Sequence, residues 1–537
     1  MNFIDRAIEV VAPVTALRRA AARKTMKVLN YGYGDGGASH EKKSMKGWRA
    51  TANSPQEDID WSLPTLRARC RDLWMNAPIA RSALGTTRTN VVGSGLRLKS
   101  RVDVAVLGLT EEQADAWEQH VEREFGLWAD SVWCDALRLN DFYEMQQLAQ
   151  LGWLMNGDSF CVFKVEPPAP QMPYALRLHL IEADRVSTPN ALMTASAANW
   201  LMEGQASDGN RIVSGVEIDK ATGATVAYHI CSGYPATFYS AEPLEWQRVE
   251  AFGKATGERM ILHLMESERA EQRRGVPFLA PVIESLKQIT RYTEAELMAA
   301  VVSGMFTVFV KSAAPSADPN PMGNMLPADQ QVAANEPTSY ELGNGAINIL
   351  QEGESIELAN PARPNANFAG FVDALCAQVG AALEVPKELL LKQFNSSYSA
   401  SRAALLEAWK MFRMRRAWLA NDYCQPVYER WLAEAVARGR VSAPGFWGDP
   451  LIRKAWCRAE WNGPAQGQLD PVKEVNAAAI RVQNGFSTRE RETMEINGGD
   501  FDRNVRQLKR ENQMMSEVMG NAAGNADPAA PTGGTGK

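Results

Sequence analysis

The residues from which a catalytic or metal site could be built are few and poorly arranged. His40, His120, His179, His229 and His263 never stand at HxxxH spacing, which a helix needs to aim two imidazoles at one zinc ion. Three of them, His179, His229 and His263, fall in runs that read as strands, where a hydrogen-bonded structural histidine is the simpler reading. Cys70, Cys134, Cys161, Cys231, Cys376, Cys424 and Cys457 lie 27 to 145 residues apart with no CxxC pair, the pattern of reduced, buried thiols in a reducing compartment. Gly32-Tyr-Gly34-Asp-Gly-Gly37 matches GxGxxG, yet no strand–helix–strand unit surrounds it, so it reads as part of a flexible arm. The chain has no GxxxxGK[ST] phosphate loop and no GxSxG elbow. Glu182 and Asp184 share a strand face, but nothing in the sequence gives a partner carboxylate across a cleft. The expectation is therefore no catalytic residue, no metal and no cofactor.

Cations are arranged more suggestively. Arg402, Lys410, Arg413, Arg415 and Arg416 face a single acidic residue, Glu407, over one helical stretch. Phosphate contact or an inter-subunit ion-pair surface is the functional reading, and a solvated helix face is the alternative. Just before it, Lys387, Lys392, Gln393, Asn395, Ser396 and Ser397 lie in a polar stretch whose only acid is Glu388. A polymer-contacting loop and an ordinary surface loop would both look like this.

The elements that must carry these residues fall into regimes. The chain has 537 residues, 45% of them hydrophobic and 22% charged, which predicts several globular domains. Net charge is −6, but residues 1–50 hold ten Lys/Arg and four Asp/Glu, leaving that arm at +6 and the rest at −12. An acidic body does not suit a protein that coats DNA. The longest apolar run, Leu297 to Val310, is broken by Ser303, Gly304 and Thr307, and predicts no membrane span and no stable membrane association. Helical spacing runs from Leu63 through Leu84, Asn90–Leu96 reads as a strand entering a glycine turn, and Thr110-Glu-Glu-Gln113 predicts a capping box. Short β-branched and aromatic runs between 160 and 265, separated by Pro, Gly and Asp, predict antiparallel strands. A helix of about 21 residues follows from Ile283, with small residues Ala295, Ala299, Ala300 and Ser303 along one side. Ile347–Leu350 and Ile356–Leu358 read as a hairpin, Phe368–Leu383 as a second helix of near-equal length, and the stretch from Ser401 as a long helix kinked at Pro426.

Ordered strings then become recognisable. Leu66-Arg-Ala-Arg-Cys-Arg-Asp-Leu73, Asn76-Ala-Pro-Ile-Ala-Arg81, Asn90-Val-Val-Gly-Ser-Gly95, Ile181-Glu-Ala-Asp-Arg185, Gln272-Arg-Arg-Gly-Val-Pro277, Tyr292 with Ala295-Glu296, Arg363-Pro-Asn365, Asn395-Ser-Ser-Tyr-Ser-Ala-Ser-Arg402 and Asp470-Pro-Val-Lys473 occur in this order. Over roughly residues 60–510 the chain resembles the lambda-type family of tailed-phage portal (head–tail connector) proteins.

The resemblance implies an α+β portal fold with wing, stem, clip and crown domains, its subunits forming a ring, usually of twelve, around a central channel in the virion. On this sequence it implies a wing at 61–282, stem helices at 283–305 and 363–385, clip at 306–362, tunnel loop at 386–400, a long kinked helix at 401–438 and crown at 439–520; outside the resemblance, composition reads residues 1–60 as a basic flexible arm and 521–537 as a disordered tail. Lys387, Lys392, Gln393, Asn395, Ser396 and Ser397 would touch passing DNA, and Ala295, Ala299, Ala300 and Ser303 would let stem helices approach closely. Implied partners are double-stranded DNA without sequence preference, the terminase large subunit, major capsid and scaffold proteins, and a head-completion or tail adaptor, with assembly in the host cytoplasm. A virion nuclease or wall hydrolase, and a minor head protein without a channel, are the competing readings.

Overall fold

The computed structural model describes residues 12–29, 37–39, 42–189, 203–235, 243–305, 309–312, 354–357, 367–394, 397–467 and 470–524. The chain divides into two units, Met1–Glu57 and Asp58–Lys537. The first contains helix α1, Pro13–Leu29, which has no acidic residue.

The second unit begins with two helices, α2 (Leu63–Asn76) and α3 (Pro78–Val91). Ala77 separates them in extended geometry (φ −109°, ψ 111°), the conformation that a following proline imposes. Helix α3 runs through Val91, so the strand expected at Asn90–Leu96 starts later, as β1 (Arg97–Ser100). Two capping boxes open the next helices. Thr110 and Gln113 cap α4 (Glu111–Ala129), as the sequence predicts, and Asp141 and Glu144 cap α5 (Phe142–Asn156).

All ladders between 158 and 265 are antiparallel. A three-stranded sheet has the order β3 (Leu176–Glu182), β2 (Asp158–Val165), β9 (Ile261–Met265). A five-stranded sheet runs β4 (Glu203–Gln205), β5 (Arg211–Val213), β6 (Val216–Ile218), β7 (Thr225–Cys231), β8 (Trp246–Glu250). Strand β2 explains how the two cores meet. Its side chains alternate, with Cys161 and Phe163 entering the main core and Phe160 and Val162 entering a smaller one with Ile181, Val216, Tyr228 and Ile261.

Helix α6 (Ile283–Met305) then leaves the main core, anchored in it by Leu286 and Ile289. Strand β10 (Phe309–Ser312) pairs antiparallel with β11 (Glu354–Glu357). The expected hairpin partner of the latter, Ile347–Leu350, lies outside the described residues. Helix α7 (Phe368–Ala382) returns to the core, followed by α8 (Lys387–Leu391) and α9 (Tyr398–Leu419). Instead of a simple kink, a π-helical turn, Ala420–Cys424, joins α9 to α10 (Gln425–Ala437), with Pro426 in the first turn of α10. Proline has no N–H to give to the carbonyl four residues back, and its ring crowds that carbonyl, so the helix widens just before it.

The boundary expected at 439 falls inside the main core. Helix α11 (Pro450–Trp456) and strand β12 (Ala459–Asn462) belong to it: β12 pairs with β1, and Val441, Phe446, Trp456 and Cys457 are buried with the helices before them. Helices α12 (Pro471–Gln483), α13 (Arg489–Asn497) and α14 (Phe501–Gly524) follow. The last overruns the expected start of the disordered tail at 521. All seven cysteines are free and buried.

Candidate functional site

A buried ionic cluster fixes the base from which α6 departs. Gly157 and Gly275 meet backbone to backbone, with no room for a Cβ on either. Their contact brings Asp158 against Arg274. Arg274 grips Asp158 through Nε–Oδ2 at 2.6 Å and Nη2–Oδ1 at 3.2 Å, while Arg67 Nη2 reaches Oδ1 at 3.1 Å. Gly275 N–H donates to the same carboxylate at 3.2 Å, and His263 Nε2 lies 3.4 Å away. The rest of the Arg274 fork donates to the backbone carbonyls of Val186, Ser214 and Ala183, while Arg67 Nε donates to the Asn156 carbonyl and its Nη1 lies 3.5 Å from Asp184 Oδ1. Burial would raise the Asp158 carboxyl, but Arg274 and Arg67 outweigh it and hold the group far below the ordinary carboxylate range. At the edge of the cluster, Arg71 pairs with both Glu182 and Asp184.

This arrangement accounts for three of the ordered strings at once: Arg67 and Arg71 come from the first, Glu182 and Asp184 from 181–185, and Arg274 and Gly275 from 272–277. Periodicity gave no sign of it, because the partners lie 60 to 117 residues apart. Glu182 and Asp184 are thus tied to an arginine and not poised for acid–base work. His229 is likewise structural: its Nε2 meets Glu217 at 3.1 Å, and Arg248 clamps the other side of that carboxylate. His179 is half-buried in β3. Among the described residues, no group of three His, Cys, Asp or Glu could hold a metal ion.

Above this base, α6 and α7 lean together through Tyr292, whose ring lies 5.5 Å from Phe368 and 5.0 Å from Phe371. Farther along α6, Leu297 is 66% exposed and Val301 47%, with Met298 exposed beside them. Ala295 and Ala300 are exposed too, and Ala299 is half-buried. Ser303 falls on the same helix, but its side chain lies outside the described residues.

The expected loop 386–400 is half helical. Gly380 lets the chain fold back under α7, since a Cβ there would stand 2.5 Å from the Val385 carbonyl. Glu384 (φ 56°) and Lys392 (φ 58°) adopt left-handed conformations on either side of α8. Both lysines have partners within the chain. Lys387 Nζ lies 2.6 Å from Asp373 Oδ2, and Lys392 Nζ donates to Thr86 Oγ1 at 2.6 Å. Ser82 Oγ adds a bond to the Leu390 carbonyl at 2.7 Å, so α3 carries the loop's base. Gln393 is exposed, Asn395 and Ser396 lie outside the described residues, and Ser397 caps α9 by accepting from Ala400 N–H.

The basic stripe does not form one solvent-facing surface. Arg415 is 5% exposed, 3.6 Å from Glu266 and stacked over Phe278. Arg416 donates to the carbonyls of Val91 at 3.0 Å, Asn90 at 2.8 Å and Pro464 at 2.9 Å. It thereby satisfies the carbonyl end of α3, and burial brings its guanidinium down to about 10. These two arginines are parts of the fold, not free phosphate ligands. The other three lie nearer solvent, each with an acidic neighbour: Arg402 with Glu474, Lys410 with Glu407 and Arg413 with Glu495.

Against known proteins, residues 41–416 match the family described as "Phage portal protein, lambda family". Portal protein B of Escherichia phage lambda is 26% identical over 499 residues, covering 89% of this chain and 88% of its own. The portal protein of Escherichia phage N15 is also 26% identical, over 503 residues, covering 89% of each chain. Among solved structures, a chain from the neck of a native gene transfer agent particle aligns with a TM-score of 0.40 and 12% identity, covering 80% of this chain and 93% of its own.

Proposed function

The chain belongs to the lambda family of phage portal proteins, and from that membership we propose that its copies, about twelve of them, close into a ring at one capsid vertex. The genome enters through the channel of this ring during packaging and leaves through it at ejection. The observation that carries the reading is the outward-facing apolar surface of α6. A single chain would leave Leu297, Met298 and Val301 in water although its main core is well filled, and a contiguous exposed apolar face marks an interface. Ala295, Ala299, Ala300 and Ser303 on the same helix suit close approach between neighbouring copies.

In this reading α6 and α7 are the stem, the mixed helix–sheet body is the wing together with residues 439–467, and the helices from Pro471 onward are the crown. The clip spans 306–362, where the terminase large subunit docks and a head-completion or tail adaptor later replaces it. Capsid and scaffold proteins surround the wing. No ATP chemistry is assigned to the chain; the terminase supplies the force. The loop from Lys392 to Ser397 faces the channel, with Gln393, Asn395, Ser396 and Ser397 touching duplex backbone transiently while Lys387 and Lys392 brace its base. A net charge of −6 per copy keeps the tube from adhering to DNA, since each neutralised phosphate adds affinity through counterion release.

Sedimentation equilibrium of the purified chain tests the ring. Twelve copies of 59.1 kDa give about 710 kDa, accompanied by annular particles in the electron microscope. A compact small oligomer without a hole would overturn the reading.

A further inference from the structure

Helix α1 stands apart from the acidic body in both charge and composition. Residues 10–34 contain no Asp or Glu but hold Arg18, Arg19, Arg23, Lys24 and Lys27, whereas the chain after residue 50 sums to −12. In the structure the run is helical from Pro13 to Leu29, and Arg18, Arg19, Arg23 and Lys24 are all exposed. Four residues at 1.5 Å each set Arg19 and Arg23 about 6 Å apart along one side of the helix. We propose that α1 is a phosphate-binding element that grips the backbone of duplex DNA without reading its sequence.

Charge complementarity selects the partner. A stretch of 25 residues with five cations and no acid carries a concentrated positive charge, and duplex DNA offers a negative charge every ~1.7 Å along its axis. A bilayer surface fits less well. Helices that lie in membranes bury a broad face of Trp, Phe and Leu, whereas α1 has no aromatic residue, and its described large apolar side chains are Val14 and Leu17, 68% and 76% exposed. Arginine supplies three of the five cations, and its planar fork matches phosphate oxygens in pairs. The inference goes beyond the channel reading: it concerns an element of the first unit alone, and it stands or falls whether or not the copies close into a ring.

The test is fluorescence anisotropy of the full-length protein with two 30-base-pair duplexes of unrelated sequence, at 50 and 200 mM NaCl. Four neutralised phosphates give a logarithmic salt slope near −3.6, so affinity should fall roughly a hundredfold or more between the two salts, equally for both duplexes. The variant Arg18→Gln/Arg19→Gln/Arg23→Gln/Lys24→Gln should lose at least as much at 50 mM, while Arg18→Lys/Arg19→Lys/Arg23→Lys should keep most of the binding. Arg402→Gln/Arg413→Gln should leave it unchanged. Unaltered DNA affinity in the quadruple variant would overturn the proposal. So would binding to phosphatidylserine vesicles or to polyglutamate that disappears in the quadruple variant while duplex binding does not. The mass of each variant, measured in parallel, keeps loss of the ring distinct from loss of DNA binding.

Discussion

The body around Asp158 and the outer part of α6 use the same residue types in opposite ways. In the body a carboxylate and two guanidinium groups are wholly buried and bonded to one another, and the elements that hold them fill two apolar cores. Along α6 beyond Tyr292 the charged side chains lie at the surface while Leu297, Met298 and Val301 also face solvent. The ionic cluster therefore finds its partners within one chain, whereas the outer part of α6 leaves an apolar face open. The difference separates residues that maintain the fold from residues that build an assembly, and it states where each kind of substitution should act.

The largest effect on stability is expected from Asp158→Asn. It would leave Arg67 and Arg274 buried against each other without the carboxylate they share, only Asp184 remaining beside Arg67 at 3.5 Å, at a cost of about 3–5 kcal/mol. Soluble yield and the thermal unfolding midpoint would both fall, and an unchanged midpoint would mean that the cluster is not what holds the sheet to α2. Next comes Arg416→Ala, which strips the carbonyls of Asn90, Val91 and Pro464 of a charged donor and should cost about 1–3 kcal/mol in chemical denaturation. If Arg416 served phosphate instead, the same variant would lose DNA affinity at nearly constant stability.

Acid should act on the body before the stem. Burial holds His263, His229 and His179 below the ordinary imidazole range. As pH falls through about 6.5, the unfolded chain takes up protons that the folded chain refuses, so stability declines. The unfolding midpoint should drop between pH 7.5 and 6; a midpoint that rises on acidification would contradict this assignment. The smallest stability effect belongs to Leu297→Glu/Val301→Glu. Exposed substitutions usually stay within about 0.5 kcal/mol, yet sedimentation should show these copies failing to form the ring. A variant that unfolds instead of dissociating would erase the contrast between the two regions.

How far the sequence could be read follows the same division. Periodicity is a local signal, so the antiparallel strands between 158 and 265, the helix from Ile283, the return helix near Phe368 and the Thr110 capping box were all legible. Where a local signal competes with distant packing, the reading failed. Asn90 and Val91 look like strand residues but end a helix whose carbonyls Arg416 satisfies from 325 and 326 residues away. The stretch after 439 reads as a new domain, yet β12 completes the sheet begun by β1. Lysines at 387 and 392 suggested an open loop because their partners, Asp373 and Thr86, belong to other helices. The Asp158 cluster was invisible for the same reason, although its arginines lay within the strings that pointed to the family.

The most direct measurement is an electron cryomicroscopy map of the assembled particle at side-chain resolution. The expected result is a closed ring in which Leu297 and Val301 of each copy pack against the next copy, with Lys392 to Ser397 on the channel wall and Arg415 and Arg416 remote from it. A ring with Leu297 and Val301 still facing solvent, or with the loop on its outer rim, would contradict it.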